Sequence, residues 1–177
     1  MAMIALSRPA KMKYWDDHGK KVIIETLTQF SHQLPQSPNI FIVHGQDLGL
    51  LHEVEKTVKN LGISPIILKD QPNLGRTILQ KLDDYADVDY AIILLTPDDV
   101  GKSQSQPNFQ GRARQNVIYE LGYFSSKLGP KNLFILCKNN PKFEKPSDID
   151  GLLYCEYDSQ GTWKIKLKKE LEARIRV

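Results

Sequence analysis

Tyr90 to Gly101 reads YAIILLTPDDVG. Six apolar residues, Tyr90 to Leu95, run without a polar interruption before Thr96 and Pro97. A short run of this kind, apolar at every position rather than at alternate ones, fits a strand buried on both faces. Pro97, Asp98 and Asp99 are residues that favour a turn, so the strand should end at Thr96.

The same grammar extends in both directions. NIFIVHG (from Asn39), SPIILK, NLFILC and LLYCEY are further short apolar runs. Between them lie LGLLHEVEKTVKNLG, which ends on Gly62, RTILQKLDDYADV, and RARQNVIYELGYF from Arg112 to Phe124. These three stretches carry helical periodicity. A further helix with Trp163, Leu167 and Leu171 on one stripe and its cations elsewhere closes the chain. Strand–helix alternation with short links implies right-handed βαβ units around a parallel sheet. We expect a flavodoxin-like, doubly wound α/β domain of five parallel strands in the order 2-1-3-4-5. PQSPN reads as a linker, so the domain should cover residues 39–177, after a leader or linker with a candidate helix over residues 1–38.

At 177 residues one domain with a sizeable core is expected. The charged residues, 24 basic against 21 acidic, are too balanced and too scattered for a nucleic-acid binder. Cys137 and Cys155 each sit in a strand-like run with no metal-binding spacing. Buried thiols in a reducing compartment, and no metal, are the expectation. The opening MAMIALSRPAK lacks a signal peptide's apolar stretch, and no run reaches membrane-spanning length. A cytoplasmic protein without membrane contact is expected.

In this architecture ligands sit outside the carboxyl ends of the strands, where strand order reverses. The first strand ends in HGQD (His44 to Asp47) and the third in TPDDVG. A polar loop, KSQSQPNFQG, then leads to the third helix. That helix raises a question of its own. At about 100° per residue, Ala113, Val117, Leu121, Phe124 and Leu128 form an apolar stripe. Glu120 lies roughly 60° off its centre, neither in the core nor on the open face. A structural ion pair with Arg112 or Arg114 would account for it. So would a functional carboxylate facing the crevice. His44 as a strand-end group, Gly45 and Asp47 as a turn and helix cap, and Asp98 and Asp99 as turn residues are the corresponding structural alternatives.

FIVHGQD, QPNLGRTI, YADVDYAIILLTPDDVG, RARQNVIYELGYF and KPSDIDGLLY, in that order, resemble the bacterial TIR-like domains fused to STING or cyclic-nucleotide-sensing modules in anti-phage defence. The resemblance runs from about Asn39 to Arg174. It implies an NAD+ glycohydrolase that yields nicotinamide and ADP-ribose or a cyclic ADP-ribose, with NAD+ as substrate and no further cofactor. It also implies an effector activated by assembly, acting with a fused or separate nucleotide-sensing module.

The family's catalytic glutamate follows the third strand and matches Glu120. Where many relatives carry a tryptophan four residues earlier, this chain has Asn116. Tyr119, Tyr123 and Phe109 are then the candidate aromatic partners for nicotinamide. His44, Gly45, Asp47, Thr96 and Asp98 would border the substrate, with Asn116. Arg76, Arg112 and Arg114 could meet its pyrophosphate through their forked donors, or else form surface ion pairs. The loop Gln71 to Gly75 resembles the family's BB loop, through which subunits self-associate. A non-catalytic TIR scaffold, a receiver-like domain and a nucleoside-processing glycosidase are the competing readings. A receiver would need clustered acids at the first strand's end and a phosphorylatable aspartate after the third, a pattern that FIVHG and LLTPDD fit badly.

Overall fold

The computed structural model describes residues 38–138, 143–144, 146 and 154–175. The leader expected over residues 1–38 therefore lies outside the described residues, apart from residue 38. So does most of the motif spanning residues 145–154.

Apolar runs become the strands of a five-stranded parallel sheet. In chain order the elements begin with β1 (Ile40–Val43), α1 (Leu48–Lys59), β2 (Ile66–Ile67), α2 (Ile78–Tyr85) and β3 (Tyr90–Leu95). They continue with β4 (Asp99–Gly101), β5 (Gln110–Arg112), α3 (Gln115–Leu128) and β6 (Leu133–Cys137). The last are β7 (Phe143–Glu144), β8 (Tyr154–Glu156) and α4 (Thr162–Ile175). The main sheet has the order β2-β1-β3-β6-β8 with every pairing parallel. Counted within that sheet this is 2-1-3-4-5, the flavodoxin-like order.

Side-chain alternation along β1 explains why both sheet faces are covered. Ile40 and Ile42 pack with Leu50, Val54, Trp163 and Leu167, residues of α1 and α4. Phe41 and Val43 pack on the other face with Leu82, Val117, Leu121 and Phe124, from α2 and α3. The Phe41 and Phe124 rings lie 4.8 Å apart between centroids. Trp163, Leu167 and Leu171 are fully buried, as their stripe requires. Cys137 and Cys155 are buried thiols.

Several boundaries differ from the sequence expectation. The second strand shrinks to two residues, followed by a 3-10 turn over Leu68–Asp70. An edge strand has one neighbour, and only Ile66 and Ile67 pair with β1. The first helix stops at Lys59, and Gly62 (φ +79°) ends the turn beyond it. The second helix starts at Ile78 because Thr77 caps it. Its hydroxyl accepts the Gln80 N–H while the Gln80 carboxamide accepts the Thr77 N–H, a reciprocal capping box.

The largest correction concerns residues 99–112. They are not a loop feeding a helix at Arg112, since β4 and β5 form an antiparallel ribbon. β7 joins it in parallel. Arg112 belongs to β5, and the helix begins only at Gln115, with Arg114 at its cap position. Ala113 still enters the core, but from the link between β5 and the helix, before the first turn.

Candidate active site

A pocket of about 490 Å³ opens beside the carboxyl end of β1. His44, Gly45 and Gln46 form one wall, and Arg114, Asn116, Val117 and Glu120 of α3 form another. Asn73, Ile78 and Lys81 close a third side. Phe41 and Leu68 also line it. A second pocket of about 490 Å³ shares Arg114 and Asn116 and adds Asp98, Asp99 and Arg112. A smaller one of about 230 Å³ shares Ile78, Asn116 and Glu120 and adds Tyr119. Asn116 lines all three, one helical turn before Glu120. Its small side chain leaves the spaces on either side of it accessible.

Glu120 is half-buried on α3, between the apolar stripe and solvent. Among the described residues it forms no ion pair, so the alternative of a bond to Arg112 or Arg114 does not hold. Arg114 instead faces Asp99 at 4.0 Å. Burial without a compensating partner pushes the Glu120 carboxyl up to about 7. The group is therefore divided between its acid and its carboxylate near neutrality, the condition that suits proton transfer and charge stabilisation.

The wall opposite is built by long-range hydrogen bonds. One oxygen of Asp98 accepts the Gln46 backbone N–H at 2.9 Å and the Thr96 hydroxyl at 2.6 Å. Thr96 is itself buried. Gly45 lies so close that a Cβ there would overlap the Asp98 carboxylate, which is why this turn takes glycine. His44 Nδ1 stands 2.8 Å from the Gly45 carbonyl. A carbonyl only accepts, so Nδ1 carries the proton. Burial holds the imidazole below its ordinary pKa, keeping it neutral.

The structure thus brings His44, Gly45, Arg114, Asn116 and Glu120 to one pocket. Asp98 and Arg112 line the adjoining one, and Thr96 stands behind the wall as a support. Two expected residues are engaged elsewhere. Asp47 caps α1, accepting the Leu50 N–H at 2.9 Å, and pairs with Lys138 at 2.6 Å. Arg76 is bound to the Asp84 carboxylate and to the carbonyls of Pro72 and Asn73, so it braces the loop Gln71 to Gly75. Of the aromatic candidates, Tyr119 lines the space beside Glu120. Tyr123 instead gives its hydroxyl to Asp83 at 2.7 Å. Phe109 is exposed, with the Lys102 ammonium 5.1 Å from its ring.

Sequence reasoning placed Gln46 at the site only within the loop His44 to Asp47 and Asn73 only within the loop Gln71 to Gly75, and it missed Lys81. Lys81 lies in a helix among the exposed Gln80, Asp83 and Asp84, yet it is buried.

Comparisons with known proteins bear on the family of the chain. The protein YuaY of Escherichia coli (strain K12) is 46% identical over 138 residues, covering 77% of this chain and 46% of YuaY. Protein tirC of Dictyostelium discoideum is 29% identical over 145 residues, covering 77% of this chain and 69% of tirC. The Pycsar effector protein PaPycTIR of Pseudomonas aeruginosa is 34% identical over 80 residues, 45% of this chain and 25% of that protein. The chain spans less than half the length of YuaY and a quarter of PaPycTIR. Residues 39–159 match the family described as CAP12/Pycsar effector protein, TIR domain, and the chain belongs to that family.

Proposed function

We propose that this TIR domain is an NAD+ glycohydrolase, cleaving the nicotinamide–ribose bond to give nicotinamide and ADP-ribose or its cyclic form. The observation that carries the reading is Glu120: a carboxyl without an ion-pair partner among the described residues, raised by burial to about 7, on the wall of a pocket at the strand ends. Nicotinamide is bound to ribose as a cationic pyridinium. When the C–N bond breaks, its electron pair goes to the ring nitrogen and a neutral base leaves, so no acid is needed. Positive charge then develops on the ribose, as in other glycoside cleavages. The Glu120 carboxylate stabilises that charge, with a benefit that grows where water is excluded. Water adds at the ribose carbon and loses a proton, which Glu120 can accept. In the cyclising outcome a nitrogen of the adenine takes the place of water.

Roles for the other residues follow from where they lie. Neutral His44 and the Gly45 turn border the ribose, and Asn116 leaves room for the ring beside Tyr119. Arg114, at the mouth of two pockets, favours an anionic part of the substrate. In this reading the domain is an anti-phage effector, switched on by assembly through the loop Gln71 to Gly75 and by a nucleotide-sensing module. Leu74, in that loop, is 77% exposed.

The test is nicotinamide release from NAD+ by the purified chain at high concentration. Release that disappears in Glu120→Gln supports the reading. A folded, assembled chain that releases none would turn the assignment toward a TIR scaffold.

A further inference from the structure

Lys81 is only 5% exposed, although its neighbours in α2 include the exposed Gln80, Asp83 and Asp84. Its ammonium has three donors. One goes to the Asn73 carboxamide oxygen at 2.9 Å. Among the described residues no carboxylate pairs with it. Taking an ammonium out of water against a neutral amide alone is unfavourable, and buried cations are normally paired. Lys81 nevertheless lines the same pocket as Glu120, and the two form no ion pair. The pocket therefore offers one buried cation and one carboxylate, held apart. Its complement is a ligand with separate anionic and cationic ends.

We propose that Lys81 is the buried anion-binding residue of this pocket, taking the diphosphate of a dinucleotide together with Arg114 at the mouth, while Glu120 faces the ribosyl–pyridinium end. This rests on the glycohydrolase reading for the identity of the ligand. Of the cations expected to meet a diphosphate, Arg76 is already occupied by Asp84 and two carbonyls, Arg112 lines the adjoining pocket, and Arg114 stands at the mouth facing Asp99. Lys81 has only a neutral partner to give up. Asn73 is that partner and an exposed member of the loop Gln71 to Gly75. The diphosphate and Asn73 compete for one ammonium, so binding of the dinucleotide releases a tether of this loop.

The experiment is calorimetric titration of the whole chain with ADP-ribose, which carries the diphosphate and is not turned over. Nicotinamide riboside serves as the control without a diphosphate. Lys81→Met should weaken ADP-ribose about tenfold or more, the loss of one charge-assisted bond. Nicotinamide riboside should bind it within about twofold of wild type. Lys81→Arg keeps the charge and should restore part of the affinity. Asn73→Ala removes the competitor and should tighten ADP-ribose, the opposite sign to that expected if the pair were merely structural. These two variants decide the matter should Lys81→Met not fold. A folded Lys81→Met with undiminished ADP-ribose affinity overturns the assignment. So does an Asn73→Ala variant that weakens ADP-ribose, or wild type that does not bind it. The glycohydrolase reading fails separately: Lys81-dependent ADP-ribose binding without nicotinamide release keeps the anion site and removes only that reading.

Discussion

Asp98 takes the backbone N–H of Gln46 at 2.9 Å across 52 positions of sequence, tying the end of β3 to the end of β1. The same oxygen accepts the buried Thr96 hydroxyl, so one carboxylate sets the pocket's first wall. Asp98→Ala should cost about 1–2 kcal/mol, because the buried hydroxyl then lacks its acceptor. A urea melt measures it. Gly45→Ala should also destabilise, by overlap with that carboxylate. Its cost should shrink in the Asp98→Ala background, and a double-mutant cycle showing simple additivity would contradict the contact.

Glu120 makes stability depend on pH in a direction opposite to most carboxylates. Burial raises its folded pKa to about 7 from an ordinary 4.5. Between those values the folded chain binds more protons than the unfolded one, so stability falls as pH rises through that window. Glu120→Gln removes the penalty. The variant should match wild type near pH 4 and be more stable at pH 8, on the order of 1–3 kcal/mol. Nicotinamide release should move the other way. In wild type kcat/KM should climb between about pH 6 and 8 as the carboxylate forms. In the variant, turnover should drop at least about a hundredfold. A variant less stable than wild type at pH 8 would mean that the carboxylate has a structural partner.

Asp47 belongs to the scaffold, and its variants should say so. Burial pushes its carboxyl up, but the bonds from Lys138 and the Leu50 N–H outweigh this and hold it below the ordinary value. Its stabilising effect is present above the unfolded pKa and is lost as pH falls through the folded one. Asp47→Ala should cost about 1 kcal/mol, the scale of a lost helix cap. Asp47→Asn keeps the cap and should cost less. Both should leave the KM for NAD+ unchanged. A raised KM in the Asn variant would return Asp47 to the substrate.

Leu74 sits at φ +48° with Gly75 at φ +72°, two consecutive left-handed residues at the tip of the loop. Leu74→Gly should relieve about 1 kcal/mol of backbone strain and raise the melting temperature. Leu74→Asp, made at an exposed position, should leave the fold intact. If the loop is the assembly surface, this variant sediments as a monomer and loses the dependence of activity on protein concentration. Unchanged sedimentation would place assembly elsewhere.

Unbroken apolar runs such as Tyr90–Leu95 and Leu133–Cys137 were enough to announce a parallel sheet, because only burial on both faces tolerates them. The spacing of Val117, Leu121 and Phe124 likewise put Glu120 on the shoulder of its helix, since a 3.6-residue period fixes angles within one element. Both conclusions rest on relations between near neighbours in the chain. The β4–β5 ribbon was not legible: DVG and QGR carry little strand propensity and are held by each other's backbone. Arg112 therefore moved from a helix to a strand. Nor does sequence distance reveal that Asp98 reaches Gln46, that Arg76 and Asp47 are engaged elsewhere, or that Lys81 faces Glu120's pocket. In its helix Lys81 has the same local pattern as a solvated lysine. What buries it is the packing of α2 on the sheet beside α3, with Asn73 drawn over its ammonium. Burial and the pairing of charges are properties of surfaces brought together from distant parts of the chain, and only the tertiary structure assigns them.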